Sequence, residues 1–118
     1  MKAYISGPMS NLPEFNYPAF HAAAAQLRSE GLEVVNPAEL TEPAEHLEWH
    51  HYMRADIKAL MDCDVVYVLD GWHESKGARI EVNLAYDLGM KVYSFHWRDE
   101  IYRLGLSTAL DNFGTVPS

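Results

Sequence analysis

A single cysteine, Cys63, stands in the 118-residue chain, and only nine lysines and arginines face 17 aspartates and glutamates. One thiol cannot close an internal disulfide, so a packed core must hold the fold and a reducing, cytoplasmic setting is expected. The formal charge of −8 at pH 7 argues against duplex nucleic acid as a partner, because gripping a phosphate backbone requires clustered cations. Small nucleosides and nucleotides are not excluded, since a pocket needs only a few local donors. No apolar run approaches the roughly 18 residues of a membrane span, so no membrane partner is expected. The first residues, Met1-Lys2-Ala3-Tyr4-Ile5-Ser6-Gly7, enter a strand pattern directly, without the apolar segment and small-residue cleavage site of a secretory signal. Repeats, low-complexity stretches and linkers are missing too. These absences predict one domain over residues 1–118, able to bury a core without metal or cofactor.

What is present is alternation. Lys2 to Ser6 reads as a strand that ends in the turn-rich Gly7-Pro8-Met9-Ser10-Asn11. Pro18 to Glu30 reads as a helix with Phe20, Ala23, Ala24 and Leu27 on one face and Gly31 as its stop. Leu32 to Val35 is a second strand, and Ala38 to Glu45 is loop. Leu47 to Met61 is a second helix with the apolar row Trp49, Met53, Ile57, Leu60. Val65 to Leu69 is a third strand, Gly77 to Leu88 a third helix and Val92 to Phe95 a fourth strand; a further helix is expected around Glu100 to Leu110. Continuous apolar strands alternating with helices predict a parallel sheet covered on both faces. The expected fold is therefore α/β: a flavodoxin-like three-layer sandwich of four to five strands, ordered 2-1-3-4. Its switch point falls between the first and third strands, so the loops Ser6 to Asn11 and Asp70 to Gly77 are the expected site.

Two carboxylates stand out. Asp56 shares the face of Met53 and Leu60, where burying a lone charge is costly unless it is paired or hydrogen-bonded. It is either a functional group or a polar residue at the edge of the apolar stripe, capping a neighbouring loop. Glu81 continues a row of Ala78, Ala85 and Leu88 that should face the sheet. Glu81 is expected in the first turn of the third helix, where a Glu gains about 0.3–1 kcal/mol from the helix dipole, a structural reason for its presence. That reason would serve equally on a solvent face, so the inward position favours function. The same dipole is expected to keep Glu81 ionised, as a carboxylate nucleophile requires.

The remaining candidates are weaker. Gly7 lets backbone approach a ligand, Ser6 and Ser10 offer hydroxyls, and Ser75 either caps the third helix or touches a ligand. Trp72 sits in the expected site loop and is placed to stack on a base, whereas Trp49 and Trp97 read as core or interface. His46 and His50 lie one helical turn apart, but they lack the His-Glu-x-x-His zinc pattern and a third ligand, so no metal is expected. Cys63 has no positioned histidine and does not read as a nucleophile.

Several segments resemble one family. Tyr4-Ile5-Ser6-Gly7-Pro8-Met9, Leu27-Arg28-Ser29-Glu30-Gly31, Val35-Asn36-Pro37-Ala38-Glu39, Cys63-Asp64, Asp70-Gly71-Trp72 and Ser75-Lys76-Gly77-Ala78-Arg79-Ile80-Glu81 are its carriers, spanning Lys2 to Ser94. They are similar to a bacterial and phage branch, DUF4406-like, of the nucleoside 2-deoxyribosyltransferase-like superfamily. The resemblance implies cleavage or transfer of the N-glycosidic bond of a 2′-deoxynucleoside or nucleoside 5′-monophosphate. It makes Glu81 the nucleophile, Asp56 the acid/base, and Tyr4 the residue that orients the nucleophile. It assigns ligand contact to Ser6, Gly7, Pro8, Met9, Asp70, Gly71, Trp72, Ser75 and Gly77. Ser75, six residues before Glu81, matches the superfamily's nucleotide hydrolases, where transferases commonly carry Asp. The first loop lacks the basic residue of those hydrolases, which Lys76 and Arg79 would have to replace. A homo-oligomer, dimer or tetramer, is also implied, although the polar residue that a neighbouring transferase subunit contributes has no match within Trp97 to Ser118. Two other classes stay open: a nucleotide-binding module without turnover, and a structural protein in which Tyr4, Asp56 and Glu81 merely satisfy one another.

Overall fold

The computed structural model describes residues 1–40 and 47–103. Four strands, β1 (Lys2–Ser6), β2 (Glu33–Val35), β3 (Val65–Val68) and β4 (Lys91–Ser94), alternate with three helices, α1 (Tyr17–Ser29), α2 (Trp49–Leu60) and α3 (Lys76–Asp87). The strands form one parallel sheet in the order β2-β1-β3-β4, with Tyr4 opposite Val35 on one side and Val66 on the other. This is the expected flavodoxin-like sandwich. The elements begin and end within two residues of where periodicity and stop signals put them.

Crossover handedness explains the placing of the helices. The step from β1 to β2 runs one way along the sheet; the steps from β2 to β3 and from β3 to β4 run the other way. Right-handed crossovers therefore send α1 to one face and α2 and α3 together to the opposite face. The core divides accordingly. Phe20, Ala23, Ala24 and Leu27 of α1 pack on Ile5, Val34 and Leu69, while Leu60 of α2 and Val82 and Ala85 of α3 pack with Tyr4, Val66, Val68 and Val92. Side chains alternate along a strand, so Tyr4 and Ser6 point to the α2–α3 face and Ile5 to the α1 face.

Two expectations need correction. Leu88 does not continue the inward row of α3: it is 54% exposed, because the chain has left helical geometry there ahead of the left-handed Gly89. The helix expected from Glu100 does not begin there. Glu100 forms an antiparallel bridge with Tyr93, and the Ile101 amide donates to the Val92 carbonyl at 2.8 Å. The edge of β4 captures this backbone before it can coil. The rest of that expected helix, 104–110, lies outside the described residues.

Candidate active site

Glu81 lies in the second turn of α3, not in the first as expected, because the helix starts at Lys76; it sits on the side that meets the ends of β1 and β3 and is 4% exposed. Two hydroxyls from β1 donate to its carboxylate: Tyr4 to Oε2 at 2.6 Å and Ser6 to Oε1 at 2.7 Å. Both donors are fully buried, so the carboxylate is held in one orientation. Burial pushes the Glu81 carboxyl up to about 7, against the two donated hydrogen bonds, which pull it down. The dipole of α3 therefore does not keep this group at an ordinary carboxylate value. Desolvation prevails. Burial, reinforced by the charges of Glu81 and Asp56, also drives the Tyr4 phenol well above its usual value, so Tyr4 remains a neutral donor.

Asp56 reaches the same place from α2. On that helix Trp49, Tyr52, Met53 and Asp56 are spaced i, i+3, i+4, i+7, one face of a helix, and all four line a cavity of about 500 Å³. Glu81 lines the same cavity from α3. Burial first, and then the charge of Glu81, raise the Asp56 carboxyl to about 7. Both carboxyls on this cavity are therefore raised toward neutrality, chiefly by burial. The two hydroxyl donors favour the ionised form of Glu81.

The loop after β1 builds the opposite wall. Asn11, Glu14, Phe15 and Asn16 all take positive φ, between 54° and 65°, and Asn16 Nδ2 donates to the Pro8 carbonyl at 2.9 Å. This folds the segment back so that Phe15 and Tyr17 join Met9 and Ser10 on the cavity wall. Gly7 is the close approach in this loop. A Cβ on it would lie 2.9 Å from the Cβ of Leu69, at the end of β3.

The expected site residues divide into three groups. Glu81, Asp56, Gly7, Met9, Ser75 and Gly77 line the cavity, and Tyr4 and Ser6 stand behind Glu81. Ser75 also caps α3, its Oγ accepting from the Ala78 amide at 3.2 Å, so the structural alternative holds for it while it faces the cavity. Asp70, Gly71 and Trp72 line instead a separate depression of about 250 Å³ between the ends of β3 and β4. Trp72 packs against the α3 side of the core, and Pro8 packs toward Gly71. These four residues are not brought to the carboxylates. Sequence reasoning missed Phe15, Tyr17, Leu47 and Tyr52, and Trp49 was read as core or interface; the helical spacing from Trp49 to Asp56 was the available signal on α2.

The chain is thus a three-layer α/β sandwich on one parallel sheet, with Glu81 and Asp56 lining the same cavity. A solved 2-deoxyribosyltransferase from Bacillus psychrosaccharolyticus shares this fold with a TM-score of 0.64 at 22% identity, over 92% of this chain and 81% of that one. Residues 1–94 match the family described as Domain of unknown function (DUF4406), and the chain belongs to that family. No curated protein matches it.

Proposed function

We propose that the protein cleaves or transfers the N-glycosidic bond of a 2′-deoxynucleoside or nucleoside 5′-monophosphate. The observation that carries this reading is the buried Glu81 carboxylate, oriented by Tyr4 and Ser6 on a cavity that it shares with Asp56. The likeness to a 2-deoxyribosyltransferase supports the same reading.

An anomeric carbon that loses its base passes through an oxocarbenium-like state, which needs a carboxylate on one side and a proton donor at the leaving group. Glu81 attacks C1′; the C1′–N bond breaks as a C1′–O bond to the carboxylate forms. Asp56 gives its proton to the departing base, and burial is what keeps that proton on it near pH 7. Water or a second base then attacks C1′ and releases Glu81, and Asp56 recovers a proton from the incoming nucleophile. Tyr4 and Ser6 hold one carboxylate geometry through both steps. The aromatic wall of Phe15, Tyr17, Trp49 and Tyr52 supplies faces on which a base stacks.

Chromatography of each 2′-deoxynucleoside and its 5′-monophosphate, incubated with and without a second free base, tests this directly. Free or exchanged base is expected from the wild type, with loss on the order of 10⁴-fold or more in Glu81→Ala. Acceptor dependence separates transferase from hydrolase. Base release that persists in Glu81→Ala would remove the nucleophile from the proposal.

A further inference from the structure

We propose that the cavity selects an uncharged nucleoside, with a free 5′-hydroxyl, over the corresponding 5′-phosphate. This rests on the reading of the ligand as a nucleoside and concerns which form of it the site accepts.

The argument is an inventory of cations. The chain has nine lysines and arginines, and all of them fall among the described residues. None lines the cavity, whereas two carboxylates do. Four are taken by acidic partners elsewhere: Lys2 by Glu33, Arg28 by Glu39, Arg98 by Glu30 and Arg103 by Asp87. Arg79, one of the two expected phosphate ligands, turns to the His73 carbonyl at 3.4 Å. Arg54 and Lys58 are exposed on α2, outside the row that faces the cavity, and Lys91 is exposed on β4.

Lys76 is the remaining contender. Its ammonium sits 4.5 Å over the ring of Trp49, itself 40% exposed, and so is held against a cavity wall without entering the space behind it. The start of α3 faces the cavity but offers a phosphate amides only, and Ser75 Oγ already takes one of them. A phosphate dianion in this space would lose its hydration, meet no cation and face the charge of Glu81. A 5′-hydroxyl meets none of these costs. The Ser75 match to nucleotide hydrolases therefore does not carry their substrate: its hydroxyl serves the helix.

The test is a titration of the wild type and of Lys76→Ala with 2′-deoxyadenosine, thymidine and the 5′-monophosphate of each. The unfolding midpoint is followed together with base release in the same samples. The nucleosides are expected to raise the midpoint at concentrations at least about tenfold lower than the monophosphates, in both proteins. Monophosphates that act at equal or lower concentration would overturn the proposal, and their weakening in Lys76→Ala would identify the cation it overlooked. A midpoint unmoved by any of the four would overturn it as well. Nucleoside selectivity without base release would leave this inference standing and remove the glycosidic chemistry. Base release from monophosphates alone would do the reverse.

Discussion

At the scale of single residues, the site depends on a disagreement between burial and charge. Glu81 and Asp56 both titrate near 7 because the fold desolvates them, and this links function to stability. A carboxyl whose folded pKa is raised binds its proton more tightly in the native state, so stability falls as pH climbs from the unfolded value toward the folded one. For Glu81 that window runs from 4.5 to about 7 and is worth about 3 kcal/mol. Urea unfolding at pH 5 and pH 8 should show a more stable protein at pH 5, and Glu81→Gln should remove about half of the difference, Asp56 supplying the rest, while abolishing turnover. The catalytic profile has the matching sign. As pH rises through about 7, Asp56 loses the proton it gives the base, so kcat/KM should fall on the alkaline side. Asp56→Asn should lower kcat by ~10²–10⁴-fold for substrates with poor leaving groups and flatten that limb.

At the scale of elements, close contact between β1, β3 and α3 positions these groups. Gly7 touches Leu69 so closely that Gly7→Ala forces β1 and β3 apart, and denaturant titration should record a loss of about 1–3 kcal/mol. Ser75→Ala removes the cap of α3 and should cost ~1 kcal/mol. The elements themselves were legible because each carries an unambiguous signal: apolar runs in the strands, Gly31 after α1, and an inward row on α3. Glu81 was found because a charge interrupts that row. Asp56 was found because it shares a face with Met53 and Leu60. The loop from Asn11 to Asn16 was not legible, since its left-handed turn is made by non-glycine residues with no local sequence signature. Its aromatic contribution to the cavity therefore went unseen. Asp70, Gly71 and Trp72 were misplaced for a related reason: they follow a site strand, but their turn carries them toward β4.

At the scale of the whole molecule, handedness does the assembling. Because the steps β2 to β3 and β3 to β4 run the same way along the sheet, α2 and α3 share a face, and their carboxylates must meet at the switch point. Among the described residues, no helix is long and apolar enough to cross a membrane. Phe15 and Trp49 remain 51% and 40% exposed beside the cavity. The central claim is that Glu81 bonds covalently to the sugar. Intact-protein and peptide mass spectrometry after reaction with a 2′-fluoroarabinosyl nucleoside, whose fluorine slows release of the sugar, tests it most directly. The account predicts one glycosyl adduct, mapped to Glu81. Base release with no adduct, or an adduct on another residue, would contradict it.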